Sequence, residues 1–278
     1  MALKDLLVHV DDSKAVTARL EVATRLAAQS GAHLTGLFVL PSVAAIPLYV
    51  EVQIPADVLE EKRKADLDRA AEAEKAFKKA ADNAGLSSEW RFVEDDVAAT
   101  LSLHGRYVDL LILGQADASD ASSLSEGVVE DVILDAGRPV LVIPYIGAPR
   151  SMGKRVLVAW NGSREAMRAV HDALPLLEKA ELVDVLSINP PAGSGGGGHV
   201  PGADVSLHLA RHGIRVETTF TEARELSVGD ALLSRASDKQ IDLIVMGGYG
   251  HSRYRELIVG GATRQILESM TVPVLMSH

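Results

Sequence analysis

The chain alternates short, nearly continuous apolar runs with longer stretches in which apolar residues return every three or four positions. The first pattern marks a buried strand and the second an amphipathic helix. The first half then predicts strands at 5–10, 33–40, 88–93, 108–113 and 139–143, with helices at 14–30, 56–84, 95–104 and 126–135. The second half predicts strands at 154–160, 182–188, 214–220, 241–246 and 273–276, with helices at 163–178, 202–213, 227–237 and 261–270. Strands that are apolar throughout and separated by helices belong to a parallel sheet covered on both faces. The expected fold is α/β: two tandem doubly wound domains, each with a five-stranded parallel sheet.

The halves also repeat in detail. Leu6-Leu7-Val8-His9-Val10-Asp11-Asp12-Ser13 resembles Val156-Leu157-Val158-Ala159-Trp160-Asn161-Gly162-Ser163: an apolar strand, then Asp or Asn, then a Ser that can cap a helix. Val108–Gly114 matches Ile241–Gly247, and Pro139–Ile143 matches Pro273–Met276. Matches recurring in one order indicate a duplication. The boundary falls in Gly147–Gly153, which gives domains at 1–147 and 153–278.

Composition narrows the function. A formal net charge of −10 disfavours nucleic acid and anionic membranes as general partners. The absence of cysteine removes disulfides, thiolate metal sites and thiol catalysis. The longest uncharged run rich in apolar residues, Leu34 to Val50, contains Gly36, Pro41 and Pro47 and is too short and broken to span a bilayer. Met1–Asp5 leads straight into a strand-like segment without a secretory pattern, so the expected location is cytoplasmic.

The chemistry concentrates after the fourth strand of the second half. Met246 ends that strand, Gly247 and Gly250 sit just past it with His251 and Arg253, and Gly260, Gly261, Ala262 and Thr263 stand where the next helix begins. Ligands of doubly wound sheets bind at the carboxyl ends of strands. A helix N-terminus offers free N–H groups and partial positive charge, and glycine lets a phosphate approach the backbone. A glycine after a strand also serves as a plain turn; the spacing Gly247-x2-Gly250-x9-Gly260 favours a binding loop.

That spacing, between a strand and a helix, resembles the ATP-binding signature of the universal stress protein family. The early strand-Asp/Asn-x-Ser element and the closing Pro-Val-Leu strand are similar to the same family over essentially the whole chain. The resemblance implies an adenine nucleotide alpha hydrolase-like (Rossmann-like) fold and a bound ATP, AMP or ADP. It leaves room for an accompanying magnesium ion. It places Asn161 near the ribose and Ile188, through its backbone, at adenine. Two departures stand out: Gly261 replaces a Ser or Thr, and Asn161 replaces the usual Asp. The family also implies that terminal strands pair between domains, making an internal pseudo-dimer, and that two chains associate as a homodimer.

An offset of 133 residues sets Gly114 opposite Gly247 and Gly127 opposite Gly260, but also Asp117 opposite Gly250, Asp120 opposite Arg253, Glu130 opposite Thr263 and Asp131 opposite Arg264. These carboxylates are expected at the helix N-terminus in place of phosphate, so the first half reads as a degenerate nucleotide site. The acids also suit a helix's first turn for mundane reasons.

His208 and His212 stand one helical turn apart with His199 ahead of them, but no third metal ligand is evident, and an exposed helix face is the better reading. The apolar segment from Val43 to Ile54 suits a cover for the first cleft or an oligomer contact. No catalytic set emerges. The sequence therefore reads as a stress-response nucleotide-binding module acting through nucleotide-dependent association. A slow ATPase and an interaction protein without nucleotide remain the alternatives.

Overall fold

The structure, a computed structural model, describes residues 2–42, 55–125, 127–147, 149, 151–190, 200–223, 225–249 and 261–278. The first half contains β1 (Asp5–His9), α1 (Val16–Ser30), β2 (His33–Leu40), α2 (Ala56–Asn83), β3 (Ser88–Glu94), α3 (Val97–Gly105), β4 (Leu110–Gly114), α4 (Val128–Asp135) and β5 (Val140–Ile143). The second contains β6 (Arg155–Ala159), α5 (Arg164–Leu177), β7 (Leu182–Ile188), α6 (Ala203–Arg211), β8 (Val216–Thr221), α7 (Val228–Asp238), β9 (Leu243–Gly247), α8 (Gly261–Ser269) and β10 (Val274–Ser277).

All ten of these strands join one sheet in the order β3-β2-β1-β4-β5-β10-β9-β6-β7-β8. Each half contributes five parallel strands in the same sequence of neighbours, and the halves meet where β5 and β10 pair antiparallel, Leu275 opposite Leu141. The two five-stranded sheets expected from the pattern are thus continuous. Alternation along the strands sends Leu6, Val8, Leu141 and Leu275 into one buried layer and Leu7, Val140, Val142 and Val274 into the other. Each layer includes residues of both halves, so burial runs without a break across the β5–β10 seam.

Local chemistry fixes the helix starts. Ser163 Oγ accepts the Ala166 N–H at 3.1 Å, Asp96 caps α3 through Ala99 and Ser227 caps α7 through Asp230. α1 instead stops at Gly31, whose φ of 58° is a left-handed cap. The long α2 buries Ala70, Ala73, Phe77 and Ala81 at helical spacing and keeps most of its charged residues in solvent.

Equivalent acids clamp the two halves at the same point. Asp109 accepts the N–H groups of Lys4 and Asp5 at 2.7 and 3.1 Å. Asp242, 133 residues on, accepts those of Gly153 and Arg155, both at 3.0 Å, and the Ser151 hydroxyl. Each carboxylate satisfies backbone donors at the start of a central strand.

Candidate functional site

At the carboxyl edge of the second half, β6, β7 and β9 end beside one another, with Ala159 in register with both Leu186 and Met246. The strand order turns between β6 and β9, the switch point at which open α/β sheets bind ligands. Asn161, just past β6, is exposed; its Oδ1 accepts the Ser163 N–H at 3.0 Å and shapes the turn into α5. Ile188 closes β7 half-buried, packed on the core. The following Asn189 has φ of 48° and is held by bonds in both directions to Ala223.

Met246 is a core residue, 5% exposed. Gly247 has a reason to be glycine that the sequence did not disclose. A Cβ there would lie 2.5 Å from the backbone nitrogen of Ala166 and 2.9 Å from Glu165 Cβ, so the first turn of α5 presses directly on the strand end. Gly248 plays a similar part against Ile133 of the first half, whose Cγ2 would stand 2.8 Å from an added Cβ. Gly250, His251, Arg253 and Gly260 lie outside the described residues.

Across that segment, Gly261 opens α8 exposed and Ala262 is half-buried. Thr263 is 6% exposed, and its Oγ1 accepts the Tyr249 N–H at 3.4 Å. This bond ties the end of β9 to the first turn of α8, and among the described residues nothing accepts the Thr263 hydroxyl hydrogen. Arg264, the counterpart of Asp131 in the alignment, is engaged with Glu268 one turn along at 2.8 Å.

The first half has the same edge with different contents. Asp117 and Asp120 do not cap the N-terminus of α4, as the alignment led us to expect. Asp117 accepts the N–H and hydroxyl of Ser119 at 2.9 and 2.7 Å, folding the loop on itself. Asp120 accepts the Lys14 N–H at 2.8 Å, just ahead of α1, and the Ser122 N–H at 3.1 Å. Short-range hydrogen bonding of aspartates outcompetes the pull of the helix terminus. Glu130 and Asp131 do sit in the first turn of α4, behind Gly127 at φ 89°.

Below the loop lies a buried cluster that no spacing announced. Arg19, 2% exposed, reaches from α1 to Asp11 Oδ1 at 2.5 Å, and its guanidinium fills the space beside Gly114 that a Cβ would need. Burial pushes the Asp11 carboxyl upward, but Arg19, His9 and two bonds from Ser13 outweigh it and hold it below the ordinary carboxylate range. Burial pushes the neighbouring His9 down to about 4, Asp11 opposing and Arg19 reinforcing, so its ring is neutral at pH 7.

The halves also touch through Gln115, which stands where the second half has Gly248. Its Nε2 donates to the carbonyls of Leu267 and Glu268 at the end of α8, at 2.9 and 3.1 Å, and its Oε1 accepts the Tyr145 N–H. On the outer surface, His171 of α5 joins His208 and His212, with ring centroids 5.4 and 4.8 Å apart. His199 lies outside the described residues, as does the 43–54 segment. No three metal-ligating side chains among the described residues are arranged to hold an ion.

Residues 152–278 match the model of the universal stress protein family. The second half of the chain is a universal stress protein domain. A universal stress protein of Synechocystis sp. is 29% identical over 174 residues, which cover 60% of this chain and 57% of that protein. The aligned stretch therefore spans little more than half of that relative's length. Among solved structures, a universal stress protein from Archaeoglobus fulgidus DSM 4304 is similar over 98% of this chain and 95% of its own, with a TM-score of 0.71 at 18% identity. A functionally unknown protein from Pseudomonas aeruginosa PAO1 matches 99% of this chain and 92% of its own, with a TM-score of 0.59 at 14% identity. At these identities the likeness is one of fold, and it extends over both halves. No described helix is long and apolar enough to cross a membrane.

Proposed function

We propose that the universal stress protein domain binds an adenine nucleotide, ATP or its di- or monophosphate, and acts in the stress response through nucleotide-dependent association, a second copy of the chain being the first partner to look for. The observation that carries the reading is the Thr263–Tyr249 bond, which sets the first turn of α8 beside the end of β9 at the switch point. A helix N-terminus anchored there would take the phosphates, with the segment containing Gly250, His251, Arg253 and Gly260 laid over them. Asn161 would meet the ribose and Ile188 the base. Asn161 brings no charge, so magnesium would enter with the phosphates rather than on a protein carboxylate.

Calorimetry with ATP tests this. The wild-type chain should bind one nucleotide, and Gly260→Glu, which puts a carboxylate at the phosphate position, should weaken binding by at least about tenfold, or ~1.4 kcal/mol. No heat from the wild type would overturn the reading. Native mass spectrometry of the same sample reads association with and without nucleotide.

A further inference from the structure

We propose that the cleft of the first half is a second ligand site, built for an uncharged nucleoside-like molecule: a flat heterocycle carrying hydroxyl or amino donors and no phosphate. A cavity of about 310 Å³ opens there, at the carboxyl ends of β1 and β2 under the loop that follows β4. Ligand pockets begin at roughly 300 Å³, so the space suits a compact molecule. Much of its wall is apolar, Phe38, Val39 and Leu40 from β2, Val97 from α3, and Leu124 and Val128 on the other side, with Ser122, Ser123 and Ser125 of the loop adding hydroxyls. Such walls favour the face of a ring.

The floor supplies the polar end. His9 and Asp11 both line the cavity. Asp11 is 7% exposed, and its three donors, the Ser13 N–H, the Ser13 hydroxyl and Arg19, all land on Oδ1. Oδ2 has no hydrogen-bond partner, and neither does His9 Nδ1, 3.6 Å away. Buried polar atoms are normally satisfied. Two left over side by side on the floor of a cavity fit a ligand that brings its own hydroxyl or amino hydrogens.

Charge decides what the molecule lacks. Arg19 is committed to Asp11, and Arg69 at the rim to Asp12 at 3.0 Å. The Lys14 N–H, which could have met a phosphate, is taken by Asp120. With Glu130 and Asp131 in the first turn of α4, the approach is acidic, so a phosphorylated ligand is repelled. An uncharged one meets no such barrier.

Hydrogen–deuterium exchange on the full chain, with adenosine and ATP as matched probes, separates the two sites. Adenosine should slow exchange in peptides covering 8–13 and 121–128, and ATP should leave those peptides unchanged. Val97→Trp fills the cavity from a half-buried wall and should weaken the adenosine effect at least about tenfold. Val128→Phe does the same from the opposite side, should the first variant fold poorly. The proposal falls if adenosine leaves 8–13 and 121–128 unprotected, if ATP protects them equally, or if both folded variants retain full protection. Peptides from 243–263 report on the other half, so either site can fail without the other.

Discussion

At the scale of single residues, the first cleft stores a pH dependence. The unfolded chain takes up a proton on His9 near its ordinary value of 6.5, whereas the folded chain does so only near 4. Between those values the unfolded state binds more protons, so stability rises with pH. The contribution is fully present above about pH 6.5 and is lost as pH falls toward 4, up to ~3 kcal/mol for a shift of this size. Asp11, held low by Arg19, adds its own loss only below the ordinary carboxylate range. Urea denaturation at pH 7 and pH 5 should show a markedly smaller difference in His9→Gln than in the wild type. Part of this residue scale was legible in the sequence: Asp11 and Asn161 were marked by position after a strand, and Gly247 by its spacing. Arg19 was not, because an arginine in the first turns of a helix, eight residues after Asp11, looks like any surface arginine until the strand beside it proves to carry glycine. Asp117 and Asp120 were aligned to the right loop but assigned the wrong partners. Their nearest amides lay within the loop and at Lys14, which an alignment to the other half does not show.

At the scale of elements, the pattern of apolar runs located every strand and helix among the described residues to within about two residues, since strand alternation and helix caps are short-range signals. Contacts between elements are another matter. His171 joins His208 only because α5 and α6 lie side by side on the sheet, and Gln115 finds its acceptors on a helix of the other half. Gln115 is 4% exposed and satisfies two carbonyls and one amide. Gln115→Ala would leave the Leu267 carbonyl without its buried side-chain partner and the other two groups to solvent, at a cost of about 1–3 kcal/mol. Thermal or urea unfolding reads the loss. Because α8 is the helix affected, ATP binding measured on the same variant should weaken with it. Unchanged nucleotide affinity would mean that the end of α8 and its ligand-binding turn move independently.

At the scale of the molecule, the duplication visible in the sequence becomes one sheet with approximate twofold order, and its two clefts have diverged while its middle has not. The second cleft keeps glycines and Thr263 at the turn; the first fills the matching loop with self-bonded Asp and Ser residues. The apolar pattern alone left open how the halves meet, because four-residue strands such as β5 and β10 suit any buried neighbour; it was the family resemblance that implied pairing of the terminal strands.

That pairing has a thermodynamic consequence. Since both buried layers pass through the seam, neither half can melt without stripping cover from the other, and the chain should lose its structure in one transition. A compound bound at either edge then protects the whole. At a hundred times its dissociation constant it adds about 2.7 kcal/mol to the unfolding free energy of all 278 residues. Scanning calorimetry should show one peak that ATP moves upward intact. Two peaks, with only one responding, would mean that the seam joins the halves in shape but not in stability.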